Sequence, residues 1–276
     1  MGVSAIDFEY DGRRLSDMGM IICSFDSKSG VTNSEPGSVI TFNKVQRNGG
    51  RHHSMSSAVF NDCYTAVFHI CKDPSLVQAD LYEEMKISSD EFRSLMRWLN
   101  RREFLPFRLC DDDLTGSTYY YDASFNIKKI LVGDVLYGLE LSMDTDGPFA
   151  YGEEVSVSKV IGTSGSSLAV TDYSDDVGFL YPVVSIKVTG AGDISITSSY
   201  DNATTQIKNC AAGEIITLNG DTMTIESSVA SHDIANDFNY EFPKIGNTLD
   251  NNINTITASA PCQVEVRYHP IIKEVF

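Results

Sequence analysis

Cys262-Gln263-Val264-Glu265-Val266-Arg267-Tyr268 alternates apolar and polar residues without a break. Successive strand side chains point to opposite faces, so Cys262, Val264, Val266 and Tyr268 share one face and Gln263, Glu265 and Arg267 the other. One face is buried and one is wet, the mark of a strand in a two-layer β structure. The same alternation runs through Val155 to Ile161, Val184 to Val188, Ile194 to Thr197, Ile215 to Leu218 and Met223 to Ile225. Asn219-Gly220-Asp221 separates the last two, and Asn and Gly accept the positive φ of a type I′ hairpin turn. Many short strands spaced by turns, in a stretch rich in Ser, Thr, Val and Ile, predict an antiparallel β-sandwich over residues 151 to 276.

Upstream, Asp146-Gly147-Pro148-Phe149 breaks the pattern, because Pro148 cannot continue a central strand and Gly147 permits a turn. A domain boundary is therefore expected near Ala150, dividing the chain into residues 1–150 and 151–276. The first half reads as mostly β, with strands at Asp7 to Tyr10, Met20 to Phe25, Ala66 to Cys71, Phe107 to Cys110, Tyr119 to Phe125 and Val135 to Met143. It holds one convincing helix, expected over 88–102. Ser88-Ser89-Asp90-Glu91 is a capping box, and Phe92, Leu95, Met96 and Leu99 form an apolar stripe that Trp98 widens. Arg93, Arg97, Arg101 and Arg102 take the other side and the last turn, where cations complement the helix dipole, and Leu105-Pro106 closes it. Residues 44 to 57, with Gly49-Gly50-Arg51-His52-His53-Ser54, lack periodicity and read as an exposed loop.

The formal net charge is −17, from 38 acidic and 21 basic residues. Residues 1–150 carry 22 acids and 15 bases, and residues 151–276 carry 16 and 6. Such a surface repels phosphates, which argues against a direct grip on nucleic acid or an anionic membrane but allows a conduit through which nucleic acid slides. The amino terminus lacks the basic and apolar regions of a signal peptide, and Ile6 stands where N-myristoylation favours Ser or Thr. With no apolar run long enough to span a bilayer, synthesis in a cytoplasm is expected. Cys23, Cys63, Cys71, Cys110, Cys210 and Cys262 are then expected to be reduced thiols serving as small core residues.

Candidate chemistry is sparse, and no catalytic, cofactor or metal site is expected. Adjacent His52 and His53 point apart in an extended chain, and no His-x-x-x-His or Cys-x-x-Cys pair accompanies them. His69 and Cys71 share a strand face, which reads as a core cysteine beside a partly exposed histidine. Asp111-Asp112-Asp113 lacks the spacing of a calcium loop and reads as a solvated turn. His232-Asp233 resembles part of a hydrolytic triad, but no serine sits in a Gly-x-Ser-x-Gly elbow, and Gly162-Thr163-Ser164-Gly165 fits a hairpin loop better. Gly190-Ala191-Gly192 opens like a dinucleotide fingerprint, yet no helix follows.

Three series of residues carry a family resemblance. The first is Phe8-Glu9-Tyr10-Asp11-Gly12 with Ser16-Asp17-Met18-Gly19-Met20, and the second is Arg97-Trp98-Leu99-Asn100 leading to Phe107-Arg108-Leu109. The third joins Gly213 to Gly220, Asp237-Phe238-Asn239-Tyr240-Glu241-Phe242-Pro243 and Cys262 to Tyr268. Together they resemble the distal tail proteins of siphophages, called Dit, which form the hub of the tail-tip baseplate. The motif positions, read as structural, are Phe8, Tyr10, Gly12, Gly19, Trp98, Leu99, Asn219, Gly220, Phe238, Asn239, Tyr240, Phe242 and Tyr268.

The resemblance implies a mainly β chain, with an amino-terminal β domain bearing one helix and a carboxy-terminal galectin-like antiparallel β-sandwich. It further implies a non-enzymatic virion protein at the tail tip, closing into a homo-hexameric ring. That ring would join the tail tube protein to a tail-associated lysin or receptor-binding protein and pass DNA through its lumen without specific binding or contact with a membrane. His52-His53 and the polar segment from Ser27 to Gly37 depart from the family pattern. A second expectation is a carbohydrate-binding module for host attachment, with Tyr173, Phe179, Tyr181 and Tyr200 as contacts. A third, a hydrolase, would need a cleft joining His232 and Asp233 to a nucleophile.

Overall fold

The computed structural model describes residues 7–24, 40–46, 53–60, 63–78, 81–110, 118–248 and 250–273. The chain divides into two compact units, Met1–Tyr151 with Lys273–Phe276, and Gly152–Ile272. The return of the chain to the first unit at Lys273 is a feature that alternation does not reveal.

The first unit contains β1 (Asp7–Tyr10), β2 (Arg13–Arg14), β3 (Met20–Cys23), β4 (Ile40–Gln46), β5 (His53–Phe60) and β6 (Thr65–Lys72). These are followed by α1 (Leu81–Glu84), α2 (Ser89–Leu99), β7 (Leu105–Cys110), β8 (Tyr119–Val132), β9 (Val135–Thr145) and β10 (Ala150–Gly152). Its main sheet runs β2-β1-β7-β8-β9-β6-β3. Two tight turns set the register of its hairpins. Asp11 and Gly12 (φ 51° and 70°) join β1 to β2, and Gly133 and Asp134 (φ 56° and 65°) join β8 to β9, both in the positive-φ geometry that matches strand twist. Asp7 holds β1 to the following turn: its carboxylate accepts from the Ser16 amide at 3.0 Å and the Ser16 hydroxyl at 2.6 Å.

Helix α2 begins as expected. The Ser88 hydroxyl accepts from the Glu91 amide at 3.3 Å, and the Glu91 carboxylate accepts from the Ser88 amide at 2.7 Å. It ends earlier than expected, at Leu99. Asn100 leaves helical geometry and donates its side-chain amide to the Phe125 carbonyl on β8 at 2.9 Å, so Arg101 and Arg102 lie beyond the last turn. Trp98 is the centre of the helix footprint rather than its margin. Its indole N–H donates to the Tyr10 carbonyl at 2.9 Å, and its ring stacks on Phe8 at 5.8 Å. Phe8, Tyr10, Phe107 and Phe125 complete an aromatic core whose side chains are each worth about 1.5–3 kcal/mol of burial.

The stretch read as an aperiodic loop over 44 to 57 is strand wherever it is described. Residues 44–46 belong to β4 and 53–57 to β5, which pair antiparallel. Alternation fails there because a bulge between Asn43 and Lys44 resets the register, and His-Ser-Met-Ser-Ser is mostly polar. His52, Ser27 to Gly37 and Asp111 to Asp113 lie outside the described residues. The six cysteines are free, but only Cys71, Cys110, Cys210 and Cys262 are buried; Cys23 is half-buried and Cys63 is exposed in the segment before β6, so neither is a core residue. Partly exposed His69 beside buried Cys71 stands as expected, with Glu140 at 3.6 Å from the imidazole.

The second unit is a sandwich of two antiparallel sheets, as the fold class requires. Its strands are β11 (Val155–Ile161), β12 (Ser167–Thr171), β13 (Gly178–Leu180), β14 (Val183–Val188), β15 (Gly192–Ser198) and β16 (Thr204–Cys210). They continue with β17 (Ile215–Asn219), β18 (Thr224–Ser227), α3 (Ile234–Asp237), β19 (Ile245–Asn247), β20 (Ile253–Ala258) and β21 (Cys262–Tyr268). One sheet runs β11-β21-β14-β17-β18, the other β12-β20-β15-β16, and β13 pairs with β19. Cys262, Val264, Val266 and Tyr268 face the core, as their alternation predicts.

Two turn readings change. Gly162 to Gly165 is not a hairpin, because β11 and β12 belong to opposite sheets and the turn carries the chain across the sandwich. Asn219 to Asp221 does begin a hairpin, but not of type I′: Asn219 pairs with Thr224, leaving a longer loop, and the Asn219 side chain accepts from the Asp221 and Thr222 amides at 3.0 and 3.2 Å. Gly220 is required by space, since a Cβ there would lie 2.2 Å from the Tyr181 carbonyl oxygen.

Substituting Ser88→Ala removes the acceptor for the Glu91 amide and is expected to cost about 1 kcal/mol of stability, read as a lowered urea midpoint with unchanged slope.

Candidate assembly interface

Among the described residues of the first unit, the β4–β5 ribbon gathers several exposed apolar side chains, Ile40, Phe42, Val45, Met55 and Val59. Among the described strands, β4 and β5 pair with each other and with no main-sheet strand. Opposed residues share a face, so Ile40, Phe42, Lys44, Met55, Ala58 and Phe60 form one side, and Thr41, Asn43, Ser57 and Val59 the other. The Asn43 amide donates to the Ser57 hydroxyl at 2.9 Å and the Ser56 hydroxyl to the Asn43 carbonyl at 3.0 Å, closing the bulge. At its root Phe60 meets Phe149 edge-on at 4.7 Å, with the Lys273 ammonium 5.1 Å from its ring. Further out the apolar side chains are open to solvent, Phe42 at 52% and Met55 at 62%. A two-stranded ribbon is marginal alone in water, and contiguous exposed apolar surface is uncommon on a monomer.

The motif residues lie elsewhere. Phe8, Tyr10, Trp98, Leu99, Phe238, Phe242 and Tyr268 are buried, Gly12 and Gly19 sit in turns at positive φ, and Asn219 and Gly220 form the β17–β18 hairpin. Asn239 covers a sheet edge: its side chain accepts from the Gln206 amide at 3.0 Å and donates to the Thr204 carbonyl at 2.8 Å, both on β16. Phe238 and Phe242 pack edge-to-face behind it at 5.2 Å. Tyr240 is exposed and donates its hydroxyl to the Ala235 carbonyl at 2.8 Å. Tyr268 donates its hydroxyl to the Thr171 carbonyl, tying the two sheets together. None of these residues is on the ribbon, whose signal in the sequence was limited to a few apolar residues in a polar stretch.

The aromatics considered for sugar contact are partly gathered. Phe179 meets Tyr181 at 5.5 Å and Tyr200 at 5.7 Å, and the Lys244 ammonium lies 5.7 and 5.6 Å from the rings of Phe179 and Tyr181. Asp201 at 2.9 Å and Glu241 at 3.4 Å hold Lys244 there, and the hydrogen bond to Asp201 raises its pKa well above the usual ammonium range. Gly246 makes room for Tyr200, since a Cβ would lie 2.1 Å from that ring. Tyr173 is exposed, and its amide donates to the Tyr268 hydroxyl at 3.3 Å.

The His232 side chain is buried between two carboxylates, and its Nε2 faces Asp237 rather than a hydroxyl or thiol. Its Nδ1 lies 2.5 Å from Glu214 Oε1 and its Nε2 3.2 Å from Asp237 Oδ2. Asp233 instead accepts from the Asn236 side chain, and the nearby Ser227 hydroxyl donates to Glu214 at 2.6 Å rather than facing the imidazole. Burial is the largest influence on both members of the pair and disfavours each charge. The Glu214 carboxylate nevertheless raises the imidazole pKa above its usual value, and His232 with Ser227 and the Ala211 amide lowers that of Glu214. The cluster clamps the segment before and within α3 onto the start of β17.

A two-unit, mainly β chain with a helix-backed sheet, a separate two-stranded ribbon and a sandwich is the build of a structural protein. Residues 3–147 match the model of a phage tail protein N-terminal domain, and residues 149–268 that of a phage tail C-terminal domain. The chain belongs to this family of phage tail proteins. Among solved structures it is similar to the Dit protein (gp 19.1) of SPP1, described as a paradigm of the hub adsorption apparatus in phages infecting Gram-positive bacteria. That likeness has a TM-score of 0.63 at 12% identity over 96% of this chain and 98% of the other, and at that identity it establishes the fold. Comparison with the curated proteins gives no match.

Linkage gives the His232–Glu214 pair a defined pH window. The raised imidazole contributes fully below its unfolded value of 6.5 and loses that contribution as pH rises through its folded value. The lowered carboxylate contributes above its unfolded value of 4.5 and loses it as pH falls through its folded value. Urea midpoints should therefore fall on both sides of that interval, and His232→Gln should flatten the alkaline limb.

Proposed function

We propose that the chain is a non-enzymatic structural component of the phage tail tip, made in the bacterial host cytoplasm. Six copies close into a ring that joins the tail tube protein to a tail-associated lysin or receptor-binding protein. The observation that carries this reading is the β4–β5 ribbon, whose apolar face finds no cover in its own chain among the described residues. Each large apolar side chain covered by a neighbouring copy contributes on the order of 1.5–3 kcal/mol, enough for a few such residues to offset the ordering of a marginal ribbon. The net charge of −17 suits a lumen through which DNA passes without adhering.

Purified protein is expected to form rings at micromolar concentration by light scattering and electron microscopy, alone or with its tail partners. Phe42→Ser with Met55→Ser should abolish ring formation while leaving the unfolding midpoint nearly unchanged. Persistent monomers of the unaltered chain under all these conditions would refute the ring.

The gathered rings of Phe179, Tyr181 and Tyr200 favour a second reading, in which the sandwich contacts a host-surface glycan. Aromatic faces stack on sugars, and Lys244, Asp201 and Glu241 supply polar contacts beside them. A glycan array should then return a signal that Phe179→Ala reduces; a blank array removes this reading and leaves the ring untouched.

A further inference from the structure

The first unit carries a cleft of about 490 Å³ whose lining includes Asp11, Arg13, Met18, Arg97, Trp98 and Arg101. Three arginines line it, although the whole chain carries 38 acids against 21 bases. They come from separate elements: Arg13 from β2, Arg97 from the last turn of α2, and Arg101 from the segment after it.

Their bonding differs. Arg101 is committed, with Glu103 at 2.9 Å and Asp11 at 3.8 Å. Arg13 and Arg97 have no side-chain hydrogen bond or ion pair among the described residues, and both are exposed. The helix dipole accounts for Arg97 at the end of α2, but nothing comparable accounts for Arg13. The cleft is also lined by the Met18 side chain and by the rim of the largely buried Trp98 ring, whose N–H is spent on the Tyr10 carbonyl. The cleft thus presents two guanidinium forks, unpaired among the described residues, beside a small apolar surface.

We infer that this cleft docks an acidic segment of a partner protein, a carboxylate side chain bridging Arg13 and Arg97 while an adjacent apolar residue rests on Trp98 and Met18. Guanidinium forks match carboxylates in a bidentate manner and gain most where an apolar wall excludes water. Nucleic acid fits poorly, because Asp11 stands in the wall and a continuous row of phosphates meets the repulsion of the whole chain. A second copy brings its own net charge of −17 toward this cleft, whereas a different partner needs only a short acidic segment. The docking does not depend on ring formation.

Trp98 is the single tryptophan of the chain, so its emission reports occupancy directly. The probe is a blocked tetrapeptide of leucine, aspartate, glutamate and leucine, titrated at low salt against its asparagine–glutamine analogue and against an oligo-dT strand. The acidic peptide should change the emission saturably, bind at least about tenfold more tightly than the amide analogue, and weaken with salt. Arg13→Ser with Arg97→Ser should lower that affinity about tenfold or more at an unchanged unfolding midpoint, while Arg93→Ser, on the same helix but outside the cleft, leaves it as it was. No binding, equal binding of the two peptides, or retained binding in the double variant overturns the inference. Tighter binding of the oligonucleotide assigns the cleft to nucleic acid instead, and a change in self-association of the double variant assigns it to contacts between copies.

Discussion

Backbone donors and acceptors along a strand edge must be paired, covered or left to water, and this constraint shapes both units. In the sandwich, β16 ends one sheet, and the segment carrying Phe238, Asn239 and Phe242 lies against it, with Asn239 supplying the hydrogen bonds of a missing strand. In the first unit, long β8 and β9 occupy the middle of the sheet while short β2 and β3 take its ends. Among the described residues the β4–β5 strands pair only with each other, and their exposed apolar side chains direct attention to neighbouring molecules.

An aromatic core beneath α2 organises the main sheet of the first unit. The indole of Trp98 is both a hydrogen-bond donor to β1 and a ring stacked on Phe8, so the helix is held in translation and rotation by one residue. Asn100 then ends the helix by bonding to β8, and this early ending places Arg101 beside Asp11 and opens the arginine-lined cleft. A basic cleft in an acidic chain is thus a product of where the helix stops.

The buried His232–Glu214 pair shows how a motif that reads as chemistry becomes architecture. A histidine next to an aspartate in sequence suggests a relay, but Asp233 turns to Asn236 and the imidazole takes carboxylates from β17's approach and from α3. Sequence adjacency says little about partnership in a β protein, where facing groups come from distant strands.

Alternation by itself determined the mainly β class and strands such as β11 and β21, because the two-residue period of a strand with one wet face is written in the order of residues. The capping box likewise determined where α2 begins, since its hydrogen bonds are local. Tertiary structure alone decided the ribbon, where a bulge and two exposed faces erase the period, and the end of α2, which depends on a carbonyl of β8. It alone decided the crossing at Gly162 to Gly165 and the requirement for Gly220, set by the Tyr181 backbone. The cleft formed by Arg13, Arg97 and Arg101 belongs with these, because residues far apart in the chain meet only after the sheet has paired and the helix has been laid upon it.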